Sequence, residues 1–305
     1  GAPKPGEHLS GGNPTRFGFA IASKSLQMQE GERSVRVLFH FRDNARYTIE
    51  SSMKQIAEQA QEKRKSRQQA TSVIRLSDVF IKLLRSMFRI SLSSPEGWLQ
   101  VTAYRPEYHE LNSDLPPNCL ALDFLLPASA PAVSAYQMAI HGESFQTSLP
   151  VIRCEMTQNE YAYPYDILTN WLIQDIEIET HVKGCRQLIL HNQIGQLSAL
   201  APFLPFGPLP DLSAYLVVGC EEIMEKQLKD ISLDVEWAGL PSNLGGFPAH
   251  YRAYQVPLKA DAIRAKVAVL VDGKWNKSTQ SMPLFSYEKR GDGSLSNQVS
   301  QETQW

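Results

Sequence analysis

The sequence predicts an α+β fold, with a mixed α/β first lobe and a β-rich, sandwich-like second half. Three observations carry this. Apolar and polar residues alternate at strand spacing in many short segments. One segment, 77–88 (SDVFIKLLRSMF), switches to helical spacing. Beyond about residue 147, strand patterns punctuated by Gly and Pro dominate. The 305 residues suit two domains, and 43% hydrophobic against 20% charged residues is enough for a sizeable core.

Residues 1–15, rich in Gly and Pro, read as a flexible tail. Segments 16–23 (RFGFAIAS) and 34–41 (SVRVLFHF) alternate and read as two strands of a hairpin with a long loop. Residues 51–67 are rich in helix formers with a thin apolar stripe, ending in the basic run Lys63-Arg64-Lys65-Ser66-Arg67. No aromatic residues interleave that run, so it reads as a solvated helix end; the alternative, contact with nucleic acid, would show as salt-dependent binding. In 77–88, Ser77 suits the N-cap, and Phe80, Leu83, Leu84 and Met87 mark one helical face. Strands follow at 89–93 and 97–101 around a Ser94-Pro95-Glu96 turn, and at 120–126. The first lobe is thus expected over 16–127.

The second lobe is expected over 128–288. Strands are read at 150–156 and at 172–182 (LIQDIEIETHV), where one slip of phase signals a bulge. Gly184 gives a turn, and 186–191 reads as the return strand. Four prolines in 201–210 (APFLPFGPLP) exclude a helix interior and a central strand, leaving a stiff extended connection. A strand at 214–218, a short helix at 221–228 and a strand at 231–237 come next. Asp272-Gly273 after 265–271 is a type I′ hairpin signal. Residues 289–305 read as a frayed polar tail.

The formal net charge of -2 lacks the basic excess of a nucleic-acid or membrane-surface protein. No apolar run approaches the roughly 20 residues of a membrane span. The start, Gly1-Ala2-Pro3-Lys4-Pro5-Gly6, has no Met and no apolar leader, so the chain reads as a fragment or a processed product. Cys119, Cys154, Cys185 and Cys220 are too widely spaced for a zinc cluster and read as free buried thiols in a reducing compartment.

Catalytic signatures are not found: no phosphate-binding loop, dinucleotide fingerprint, nucleophile elbow or zinc-protease helix. His181 and His191 flank the Gly184 turn and could approach across a hairpin, but two histidines fall short of a metal site. Asp175, Glu177 and Glu179 repeat every second residue, opposite Ile176 and Ile178. That reads as the wet face of a half-buried sheet, as do Asp234 and Glu236; an acid-pair hydrolase using Glu177 and Glu179 is the catalytic alternative. Asn276-Lys277-Ser278 fits a glycosylation acceptor, a pattern short enough to arise by chance. No catalytic residue, cofactor or metal is expected.

An ordered series of short motifs carries a resemblance. It runs from Gly18-Phe19-Ala20-Ile21-Ala22-Ser23 and Gly97-Trp98 to Tyr163-Pro164-Tyr165-Asp166 and Ile176-Glu177-Ile178-Glu179. It continues through Leu188-Ile189-Leu190-His191-Asn192 and Pro202-Phe203-Leu204-Pro205-Phe206-Gly207-Pro208 to Leu233-Asp234-Val235-Glu236-Trp237. It closes with His250-Tyr251-Arg252, Asp272-Gly273-Lys274-Trp275 and Pro283-Leu284-Phe285. The series, spanning most of 16–285, resembles the baseplate J-like wedge proteins of contractile injection systems, the phage-tail-like particles such as antifeeding prophages and virulence cassettes. Ser198-Ala199-Leu200-Ala201 stands where that family has an Asp-Pro-Ser-Lys-like lead, and 51–70 looks like an insertion.

The resemblance implies a non-enzymatic part that links the hub and spike to the sheath. Its partners would be other wedge subunits, hub or spike proteins and sheath proteins, in a six-fold hetero-oligomer. Assembly would be cytoplasmic, and the finished particle extracellular or cell-associated. Phe203 and Phe206 are then expected at a subunit contact, unless they plug their own domain's core. The alternative function is a carbohydrate- or surface-binding β module of a tail-associated protein, with a shallow groove and several exposed aromatics; Trp98, Trp171, Trp237 and Trp275 are scattered along the sequence and neither favour nor exclude it.

Overall fold

Strands whose apolar residues alternate can cover a core from two sides, and this chain uses them so. The computed structural model describes residues 18–42, 76–108, 114–116, 118–157, 172–224, 226–240 and 262–305, together with Ser51, Lys54, Gln55, Glu58 and Glu62. Those five isolated residues are helical; the rest of the expected 51–67 helix lies outside the described residues, as does tail 1–15. The fold is strand-rich α+β. The chain divides into two compact units, Gly1–Ala199 with Phe203–Lys226, and Leu200–Pro202 with Gln227–Trp305.

In the first unit, β1 (Gly18–Ala22) leads through a 3-10 turn, Lys24–Leu26, into β2 (Glu32–Phe41). Helix α1 (Leu76–Met87) runs directly into β3 (Phe88–Ser94), followed by β4 (Gly97–Gln100), β5 (Tyr104–Tyr108) and β6 (Cys119–Leu126). A helical turn, Met138–His141, precedes β7 (Val151–Met156) and β8 (Ile173–Lys183). β9 (Leu188–Asn192), β10 (Gly195–Leu197) and β11 (Leu216–Cys220) follow, and a 3-10 turn, Glu221–Ile223, closes the series.

Two four-stranded antiparallel sheets, ordered β1-β7-β3-β4 and β5-β6-β2-β8, share one core. Residues spaced by two on β2 (Val35, Val37, Phe39) and on β6 (Leu120, Leu122, Phe124) meet Ile90, Leu92, Ile152 and Cys154 of the other sheet. Phe19 of β1 packs edge-on against Phe39 at 5.6 Å between ring centroids, and against Phe88 at 5.8 Å. α1 buries Leu83, Leu84 and Met87 completely, the stripe its spacing predicts. Each sheet takes strands from both sides of residue 127.

The expected hairpin between 16–23 and 34–41 does not form. β1 pairs with β7, and β2 lies between β6 and β8. Leu26 and Met28 are fully buried, and Met28 bridges to Val133, which carries the chain from one sheet to the other. The long solvent loop of such a hairpin would leave both side chains in water. The predicted bulge is present: His40 pairs with Asp175 and Phe41 with Ile173, leaving Gln174 extra.

Tyr104 ties α1 to its surroundings. Its hydroxyl donates to the Leu84 carbonyl and accepts from the Phe88 amide at 3.0 Å, where the helix ends. Burial pushes the phenol up to about 12. A free tyrosine ionises near about 10, so the stabilising hydroxyl is fully effective below that pH and is lost as pH rises towards about 12. Tyr104→Phe is therefore expected to melt below the wild type at neutral pH. The gap between them should shrink across that alkaline window in pH-resolved thermal melts, and a gap that stays constant would count against this assignment.

Among the described residues, the second unit holds three two-stranded pairings. Short β12 (Asp234–Glu236) pairs with β17 (Glu302–Gln304). β13 (Arg264–Val271) pairs with β14 (Lys274–Pro283), and β15 (Tyr287–Lys289) with β16 (Leu295–Val299). Asp272 and Gly273 both take positive φ, 49° and 74°, as the type I′ turn requires. Residues 289–305 are not a frayed tail. They supply β16 and β17, and Trp305 closes on Trp237 at 5.9 Å while Trp237 meets Phe285 at 4.6 Å. These aromatics give a short polar stretch the apolar burial that its strands alone lack. The expected helix at 221–228 is reduced to the Glu221–Ile223 turn.

Candidate protein interface

The Pro-rich connection is held by the turn before it. Asn192, at the end of β9, is fully buried. Its Oδ1 accepts from the Ile194 amide at 2.9 Å, and its Nδ2 donates to the carbonyls of Leu204 at 3.0 Å and Pro205 at 3.4 Å. Gln193 Nε2 donates to the Phe206 carbonyl. Gly207 sits at φ +74°, and a Cβ there would come within 2.7 Å of Gln193 Nε2. The polar turn thus grips a backbone that prolines keep out of any sheet.

With the backbone fixed, the apolar side chains face outwards. Phe203, Leu204, Leu209, Leu212 and Tyr215 are exposed, as are Ile189 on β9 and Ile194 in the gripping turn. Phe206 is half-buried. Phe203, at 38% exposure, is available to a partner, while Phe206 divides its ring between the fold and the surface. Apolar groups gathered on a stiff, solvent-facing connection are the material of a protein contact.

Asp175 and Glu177 are exposed and Glu179 is half-buried, all on β8. Their cross-strand neighbours on β2 are His40, Leu38 and Arg36. Glu177 lies 3.8 Å from His40 Nε2. Arg36 makes a two-pronged pair with Asp123 at 2.7 and 2.8 Å and reaches Glu107 at 3.2 Å, and the Asp123 bond raises the guanidinium pKa. The acids thus sit on the polar face of the sheet, beside the Arg36–Asp123 pair. On β12, Asp234 and Glu236 are exposed, and Asp234 accepts from Gln304 Nε2 at 3.0 Å.

His181 and His191 are not brought together by a hairpin. β8 pairs with β2, while β9 joins β10 and β11 in a separate sheet. The Glu30 carboxylate accepts from the amides of Arg186 and Gln187, both at 2.6 Å, and turns the chain away after Gly184. Among the described residues, no group of three or more His, Cys, Asp or Glu is placed to hold a metal ion.

The four cysteines are free thiols. Cys119 and Cys154 are buried, and burial pushes Cys154 up to about 12. Cys185 and Cys220 are half-buried; burial, then the neighbouring Cys220, push Cys185 up to about 11. Cys220 also lines a shallow pocket with Glu30, Gln187 and Glu222. Buried Glu222 accepts from the amides of Gln29 and Glu30, and from Lys226 Nζ at 3.1 Å. Sequence reading missed this staple. Its one local trace is the i, i+4 spacing of Glu222 and Lys226.

The tryptophans divide. Trp98 packs with Tyr136, His141 and Phe145, under the Arg153 guanidinium at 4.2 Å. Trp237 and Trp305 meet edge-on within the second unit, whereas Trp275 is exposed on β14. Trp171 lies outside the described residues. No helix among the described residues is long and apolar enough to cross a membrane. No protein-family model matches the chain, and no curated protein matches it.

Proposed function

We propose that this chain is a structural wedge component of a contractile, phage-tail-like baseplate, acting through protein–protein contacts between hub or spike and sheath. The observation that carries the reading is the exposed apolar connection around Phe203, held rigid by buried Asn192. Such a segment contributes contact area at little ordering cost, because its backbone is already fixed. The ordered motif series resembling baseplate J-like wedge proteins supplies the particle class. Trp98 and Trp237 are occupied in packing, so among the described tryptophans the carbohydrate-binding alternative rests on exposed Trp275.

The test is the double variant Phe203→Ala with Phe206→Ala. The monomer should keep its melting temperature within a few degrees, while incorporation into particles, read by electron microscopy and co-sedimentation with sheath, falls at least about tenfold. Normal incorporation would remove this segment from the assembly. A monomer that fails to fold would make the rings core elements.

A further inference from the structure

β8 is the outer strand of its sheet, eleven residues long, and no strand among the described residues pairs with its far side. An edge of that length presents backbone donors and acceptors to any incoming strand. Its side chains carry three acids, Asp175, Glu177 and Glu179, against one lysine, Lys183. Ile176, Ile178 and Val182 reach the core yet stay half-buried.

The β13–β14 ribbon has the opposite character. It is a two-stranded hairpin whose outer edges are also unpaired among the described residues. Two strands alone are marginal in water. Residues 274–280 of β14 are all exposed, and Trp275 lies open beside Lys274 and Lys277. Arg264, Lys266, Lys274 and Lys277 stand against a single acid, Asp272, in the ribbon. Lys274 and Lys277 are an odd number of residues apart on a strand in unbroken register, so they face opposite sides. Either orientation of an added strand brings one of them to the acidic face.

We infer that β14 of one copy of this chain adds as a fifth strand to the β8 edge of a second copy. Main-chain bonds would supply affinity, and lysine against carboxylate would supply the choice of partner. The two patches differ, so the contact runs head to tail and closes a ring or extends a chain instead of stopping at a pair. This deepens the assembly reading by naming one partner, and it can fail alone. Particles that incorporate the variants below normally would keep that reading and sink this one.

The experiment is a charge exchange on the full chain. One variant carries Asp175→Lys and Glu177→Lys, and the other Lys274→Glu and Lys277→Glu; all four positions are exposed. Sedimentation velocity at low salt should show the wild type associating with rising concentration and dissociating as salt is added. Each variant alone should associate at least about tenfold more weakly. An equimolar mixture should recover wild-type association, because each reversed edge then meets a reversed ribbon. Circular dichroism checks folding. If a reversed variant unfolds, the neutral set Asp175→Asn, Glu177→Gln, Lys274→Gln and Lys277→Gln reads the same weakening. A wild type that stays monomeric overturns the inference. So do variants that associate as the wild type does, or a mixture that fails to recover. Association lost only in the Phe203, Phe206 variant would place the self-contact on the Pro-rich connection and overturn it too.

Discussion

Replacing Arg33 by methionine should lower the unfolding free energy by about 3–5 kcal/mol. Arg33 is fully buried on β2. Nε donates to the Gly31 carbonyl at 3.1 Å, Nη1 to Pro131 at 2.8 Å, and Nη2 to Pro127 at 3.1 Å and Ala130 at 2.7 Å. One guanidinium thereby satisfies three carbonyls of the proline-punctuated 127–131 loop and the Gly31 carbonyl ahead of β2. Desolvation lowers its pKa, and the carboxylate of Glu222 opposes that shift. Methionine keeps much of the volume and removes all four bonds, leaving the Pro127 carbonyl only the Ala130 amide at 2.9 Å. Lysine keeps the charge, but a single ammonium cannot span the four acceptors, so Arg33→Lys should recover only a minority of the loss. Urea unfolding reads both, as a lower midpoint at unchanged slope. A loss under about 1 kcal/mol in the methionine variant would show that water replaces the arginine freely.

Gly31→Ala is expected to cost about 2–4 kcal/mol. Gly31 has φ +81°, and a Cβ built there would lie 2.2 Å from the Lys183 carbonyl oxygen. Two costs combine: left-handed strain of roughly 1–2 kcal/mol for any residue with a Cβ, and a backbone clash that only separation of β2 from the end of β8 relieves. Gly142 separates the two. It has φ +78° with nothing within 4 Å of its would-be Cβ, so Gly142→Ala carries the strain alone. Thermal unfolding of the pair should therefore differ, and hydrogen exchange in the Gly31 variant should quicken first at the Lys183 end of β8. Equal losses at the two glycines would eliminate the clash as a cause.

Local pattern predicted many elements because each rests on neighbours in the chain. Leu83, Leu84 and Met87 at helical spacing are fully buried on α1. Asp272-Gly273 forms the turn that its side chains permit, and the slip of phase near Gln174 is a bulge. The candidate interface was half legible. Phe203 and Phe206 stood out because four prolines exclude a regular element, but their anchor, buried Asn192, looked like any turn residue. The Glu222 staple left only its i, i+4 spacing with Lys226, and the meeting of Cys185 with Cys220 left no local pattern, since residues far apart in sequence create the burial.

Alternation shows which side of a strand is apolar and stays silent about which strand lies beside it. The chain alone thus determined an α+β, strand-rich molecule, its helical stripe, its hairpin turn and its stiff proline segment. Pairing was decided in three dimensions: β1 beside β7, β2 between β6 and β8, and β9 apart from β8. Burial of Leu26 and Met28 and the Glu30 carboxylate on two amides steer those pairings across the fold. The same holds for 289–305, whose polar residues became strands because Trp237, Phe285 and Trp305 could meet. Hydrogen bonds along a strand edge are chemically alike, so long-range packing must choose among them.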